Sequence, residues 1–121
     1  MNTYEGQCHC GAVRFRLRSE PITTGMRCNC SYCKRRNAVM SSQYYDPDHF
    51  EILSGEDDLT CYHWGDVMVN HYFCRHCGIY TFHDAIENPG TGRVNLGCFD
   101  IDLDSLQIRR FDGADTWQYL D

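Results

Sequence analysis

The sequence predicts a mainly β fold held together by metal. Short apolar segments of strand length alternate with turn residues, and no stretch carries a sustained helical period. Seven of the nine cysteines fall in C-x-C or C-x-x-C spacings, which suit thiolate ligation of a soft metal. At 121 residues the chain fits one domain, and we take residues 1–121 as a single zinc-binding unit. Eight Tyr, six Phe and two Trp supply a core built largely on rings.

The elements follow in order. Cys8-His9-Cys10-Gly11 reads as an extended strand that sends both sulfurs to one face, with Gly11 turning the chain away. Ala12–Arg18 alternates cleanly: Val13, Phe15 and Leu17 face one way, Arg14, Arg16 and Arg18 the other. Ser19-Glu20-Pro21 breaks this strand. Thr23–Arg27 is a short strand delivering Cys28, and 31–36 suits a helical turn. Ala38–Tyr45 and Phe50–Leu53 are strands separated by Asp46-Pro47-Asp48. Leu59–Trp64 and Val67–Phe73 flank Gly65-Asp66 as a hairpin, which runs into the knuckle Cys74-Arg75-His76-Cys77-Gly78. Ile79–His83 is a strand, 88–92 a loop, Val94–Phe99 a buried strand and Gln107–Phe111 the last strand.

Charge and cysteine usage exclude several function classes. A net charge of −6, made more negative by metal thiolates, opposes nucleic-acid binding and docking on an anionic membrane. No apolar run approaches a membrane span. The first residues carry no basic n-region and no apolar h-region, so no signal peptide is expected. The cysteine count is odd and clustered. A reducing cytoplasm with metal thiolates fits better than a disulfide scaffold.

Three constellations carry the chemistry. Cys8 and Cys10 with Cys74 and Cys77 would make a closed four-sulfur zinc site coupled to folding, although spacing alone leaves the pairing open. Cys28, Cys30 and Cys33 supply three sulfurs from one short segment. They suit either a catalytic zinc with an open fourth corner or a second closed site completed by Cys61, Cys98 or a histidine. Lys34-Arg35-Arg36 sits beside them, as a solvated turn or as cations that hold a substrate carboxylate. His63, His71 and His83 lie on strands with no partner readable from sequence.

Four blocks now resemble the glutathione-dependent formaldehyde-activating (GFA) family, which includes centromere protein V. They are Gly6–Phe15, Cys28–Arg35, Phe73–Gly78 and Val94–Asp100, in the family's order. The resemblance implies a β-tent fold of several small coiled antiparallel sheets. It implies a structural zinc on Cys8, Cys10, Cys74 and Cys77 and a second zinc, with an open position, on Cys28, Cys30 and Cys33. It implies a carbon–sulfur lyase-like activity on thiol–aldehyde adducts, with a small thiol such as glutathione and an aldehyde such as formaldehyde as partners. Lys34, Arg35 and Arg36 would orient a carboxylate of the thiol. Two features depart from the family: the chain is shorter than its formaldehyde-activating members, and Asn29 stands where histidine is common. The alternative is a non-catalytic, zinc-stabilised protein-interaction module.

Overall fold

The computed structural model describes residues 1–121. Its ten strands form three small sheets. β1 (Asn2–Gln7), β2 (Arg14–Ser19) and β5 (Phe50–Ser54) are antiparallel, in the order β1-β2-β5. β3 (Thr24–Cys28) lies between an antiparallel β4 (Met40–Ser41) and a parallel β10 (Gln107–Phe111). β6 (Leu59–Tyr62), β7 (Val69–Cys74), β8 (Tyr80–Ala85) and β9 (Asn88–Val94) form an antiparallel meander. The only α-helix, α1, spans Ser31–Arg36. The chain is mainly β, built of several small sheets, as its sequence predicts.

The alternation of β2 sets the main core. Val13, Phe15 and Leu17 are fully buried, and the intervening arginines point outward. Phe15 packs its ring against Phe50 at 5.5 Å and Phe99 at 5.3 Å, and Phe50 meets Phe82 edge-on at 5.1 Å. Val94 and Leu96 close the same cluster, and Cys8 and Cys74 belong to it. A second, smaller cluster joins Met26, Met40, Tyr80 and Phe111, with Cys28 and Tyr32 packed against it. Each cysteine group thus sits against its own apolar cluster.

Three segments differ from expectation. Cys8 and Cys10 lie in the turn between β1 and β2, not on a strand. The turn is closed by Cys8 N–H donating to Val13 O at 3.0 Å and by Gly11 at φ +82°. The strand expected over Ala38–Tyr45 shrinks to Met40–Ser41, because β3 offers only two paired positions there. The expected 88–92 loop and Val94–Phe99 strand are shifted. β9 covers Asn88–Val94, and Leu96–Cys98 is a 3-10 turn. Pro89 is tolerated because β9 is the edge of its sheet. Gly92 is needed because a Cβ there would run into the His83 carbonyl on β8.

Candidate functional site

The first cysteine group is closed. The Sγ atoms of Cys8, Cys10, Cys74 and Cys77 all lie within 4.8 Å of one another. Tetrahedral zinc with Zn–S bonds of about 2.3 Å sets its sulfurs about 3.8 Å apart. Cys10 Sγ lies 3.7 Å from both Cys8 Sγ and Cys74 Sγ. Backbone N–H groups already aim at these sulfurs: Val13 donates to Cys8 Sγ and His76 to Cys74 Sγ, both at 3.4 Å. The two turns, one after β1 and one after β7, converge and can hold a metal ion.

The second group has three members. β3 ends at Cys28, and the chain then turns through Asn29. Cys30 caps α1, its Sγ accepting the Cys33 N–H at 3.3 Å. This turn brings Cys33 round to face the other two, and the three sulfurs lie within 4.8 Å of one another. No other His, Cys, Asp or Glu donor joins them at that distance. Cys98 donates instead to the Tyr80 carbonyl at 3.6 Å, and burial pushes its thiol up to about 12. Cys61 is exposed, beside His63 and Asn70. Neither completes the trio. Mutual interaction of the three close sulfurs lowers Cys30 and raises Cys28 and Cys33.

Residues far along the chain hold this trio in place. Asn29 Nδ2 donates to Asp112 Oδ1, and Asn29 Oδ1 accepts from Ala114 N, both at 3.0 Å. Asp112 accepts further bonds from Thr116 through its N–H and hydroxyl. This lock lays Gly113 directly against Cys28, with no room for a Cβ beside its sulfur. Gly113→Ala is therefore expected to displace Cys28 and lower the bound metal from two ions per chain to one. Metal analysis of the purified variant checks it, and an unchanged content contradicts it.

The trio lies in an open cleft of about 580 Å³. The opposite wall comes from the four-stranded sheet. His71 on β7 pairs with His83 on β8, which pairs with Arg93 on β9. Cross-strand partners share a face, so all three side chains form one row lining the cleft. Tyr80 Oη lies between the two rings, 2.7 Å from His71 Nδ1 and 3.0 Å from His83 Nδ1. Burial and then the Arg36 charge lower His71 to about 4 and push His83 well below the ordinary histidine range. Both rings are neutral at neutral pH. Burial raises Tyr80, which stays a phenol. Trp64, Met68 and Trp117 form an exposed apolar rim.

The three basic residues expected beside the trio part company. Arg36 lines the cleft, donates through Nη2 to Cys33 Sγ at 3.1 Å and lies 4.1 Å over the Tyr80 ring. Arg35 folds back to the Ser31 carbonyl at 2.8 Å. Lys34 is exposed, and neither Lys34 nor Arg35 lines the cleft. His71, His83 and Arg93 line the cleft, with Tyr80 bonded to both rings, and the sequence alone assigns none of them a role. The register of the meander is the signal that finds them.

A family model described as glutathione-dependent formaldehyde-activating enzyme matches residues 3–110. The crystal structure of a Rhodobacter sphaeroides protein is similar in fold, with a TM-score of 0.73 and 31% sequence identity. The match covers 86% of this chain and 98% of that one.

Proposed function

Because the chain belongs to the glutathione-dependent formaldehyde-activating enzyme family, we propose that it is a zinc-dependent, carbon–sulfur lyase-like enzyme acting on adducts of a small thiol and an aldehyde. In this reading Cys8, Cys10, Cys74 and Cys77 hold a structural zinc. Cys28, Cys30 and Cys33 hold the catalytic one. The observation that carries the reading is the three-sulfur group set in a cleft with no fourth protein donor. A zinc ion there supplies an open coordination position, where it stabilises a thiolate and withdraws charge from a carbonyl oxygen.

The reaction joins the thiol sulfur to the aldehyde carbon, and the thiol proton ends on the former carbonyl oxygen. The residues of the cleft wall can manage that proton. Tyr80 has one hydroxyl proton, so it donates to one histidine Nδ1 and accepts from the other. One ring then presents a basic Nε2 and the other an Nε2–H. The first takes the thiol proton and the second supplies one to the alkoxide, with Tyr80 Oη linking them. Arg36 fixes Cys33 and keeps positive charge beside the thiolates. A compartment that keeps thiols reduced is the setting this requires, and no helix is long and apolar enough to cross a membrane.

The test is adduct formation followed by NMR, with zinc-loaded protein, glutathione and a panel of aldehydes beginning with formaldehyde. Cobalt-substituted protein gives the matching spectroscopic arm. The proposal expects turnover above the uncatalysed rate and a new thiolate-to-cobalt absorption band. Absence of both overturns it.

A further inference from the structure

We propose that Arg93 is the carboxylate-binding residue of the cleft, and that the site therefore selects thiols that carry a carboxylate. This rests on the reading of the cleft as a thiol site.

Arg93 is 5% exposed, yet no carboxylate of the protein pairs with it. Its Nε is sealed from solvent and has no hydrogen-bond partner. The only protein bond from the guanidinium runs from Nη2 to Tyr119 Oη, at a long 3.4 Å. The remaining contacts are ring faces, with the guanidinium carbon 4.3 Å from the Tyr44 centroid and 5.0 Å from that of Phe111. Cation–π contacts recover part of the lost hydration of a buried guanidinium but leave its donors unused. The acid on the adjoining strand is engaged elsewhere. Asp84 accepts from Asn70 Nδ2 and from Gly90 N, both at 2.9 Å.

Place decides what the open donor is for. Arg93 is part of the cleft wall, in the same cross-strand row as His83, and the trio faces the same cavity. Arg36, the other cleft arginine, is tied through Nη2 to Cys33 Sγ, and its Nε and Nη1 are buried without partners. Arg93 is tied to no cysteine and no carboxylate. A planar carboxylate matches a guanidinium edge and can accept from the Nη donors, the end of the group that is not sealed. The aromatic faces of Tyr44 and Phe111 fix the plane of the fork, so its direction is set before a ligand arrives. A molecule with its thiol at the trio and its carboxylate at Arg93 lies within the one cleft that both line. Uncharged thiols leave the arginine unpaired and lose that interaction.

Two matched pairs of ligands test this. N-acetylcysteine and its primary amide are titrated into cobalt-substituted protein and read by the thiolate-to-cobalt band. N-acetylalanine and its amide, which lack sulfur, are read by the fluorescence of Trp64 and Trp117. The wild type is expected to favour each acid over its amide by about tenfold or more, the scale of one charge-assisted hydrogen bond. Arg93→Gln and Arg93→Met should erase the preference by weakening only the acids, and Arg93→Lys should restore part of it. Equal binding of acid and amide by the wild type overturns the proposal, whether or not the variants fold. So does a variant that weakens acid and amide alike. If N-acetylalanine binds through Arg93 while neither thiol perturbs the cobalt band, the carboxylate site stands and the thiol-site reading fails. If both thiols perturb cobalt equally, the thiol site stands and the role given to Arg93 fails.

Discussion

Cys74→Ser is expected to leave the protein largely unfolded at 25 °C, with loss of the cooperative thermal transition by circular dichroism. Cys74 is fully buried and, with Cys8, is part of the same cluster as Phe15, Leu17, Val94 and Leu96. The four-sulfur group ties the turn after β1 to the turn after β7, elements of different sheets. A structural zinc contributes about 10–16 kcal/mol of apparent binding free energy, which matches or exceeds the roughly 5–15 kcal/mol net stability of a typical domain. Removing one thiolate weakens that contribution and puts a polar hydroxyl at a fully buried position of the apolar cluster. Chelator treatment of the wild type should reach the same unfolded endpoint. A Cys74→Ser protein that melts cooperatively within a few degrees of the wild type contradicts the structural role.

Cys33→Ser is expected to separate fold from activity. Cys33 is only half-buried, on a six-residue helix that carries no buried residue. The smaller cluster beneath it is held by Met26, Met40, Tyr80 and Phe111. The substitution should therefore cost a few degrees of Tm, reduce the bound zinc from two ions to one, and lower adduct turnover by at least about a thousandfold. That fall is the scale of several kcal/mol of transition-state stabilisation by a metal. Metal analysis, melting and turnover on one preparation check all three. If Cys33→Ser destabilises as severely as Cys74→Ser, both metals are structural and the catalytic reading fails.

The difference between these two cysteines was partly legible in the sequence. Spacing alone separates a pair of two-cysteine turns from a run of three, because ligand spacing within a turn is local. The strand over Gln107–Phe111 and the alternation around Phe15 were legible for the same reason: each pattern is contained in a few residues. What joins distant segments was not. Cys8 and Cys10 converge through a turn rather than a strand, a distinction set by the Cys8–Val13 hydrogen bond. β9 escaped notice because Pro89, Gly90 and Gly92 imitate a loop, and only edge placement and close approach to β8 reconcile them with a strand. The wall of the cleft depends on that strand. His71, His83 and Arg93 form a row only once the meander's register is known, so no local motif announces them. Asn29 likewise gains its meaning from Asp112 and Ala114, 83 and 85 residues further along the chain.

The most direct test of the central claim is a crystal structure of the zinc-loaded protein grown with glutathione. The account predicts one zinc on Cys8, Cys10, Cys74 and Cys77. It predicts a second on Cys28, Cys30 and Cys33, with the added thiol's sulfur in the fourth position. A second zinc whose fourth position is filled by a side chain of the protein itself, such as His71 or Cys61, would contradict it.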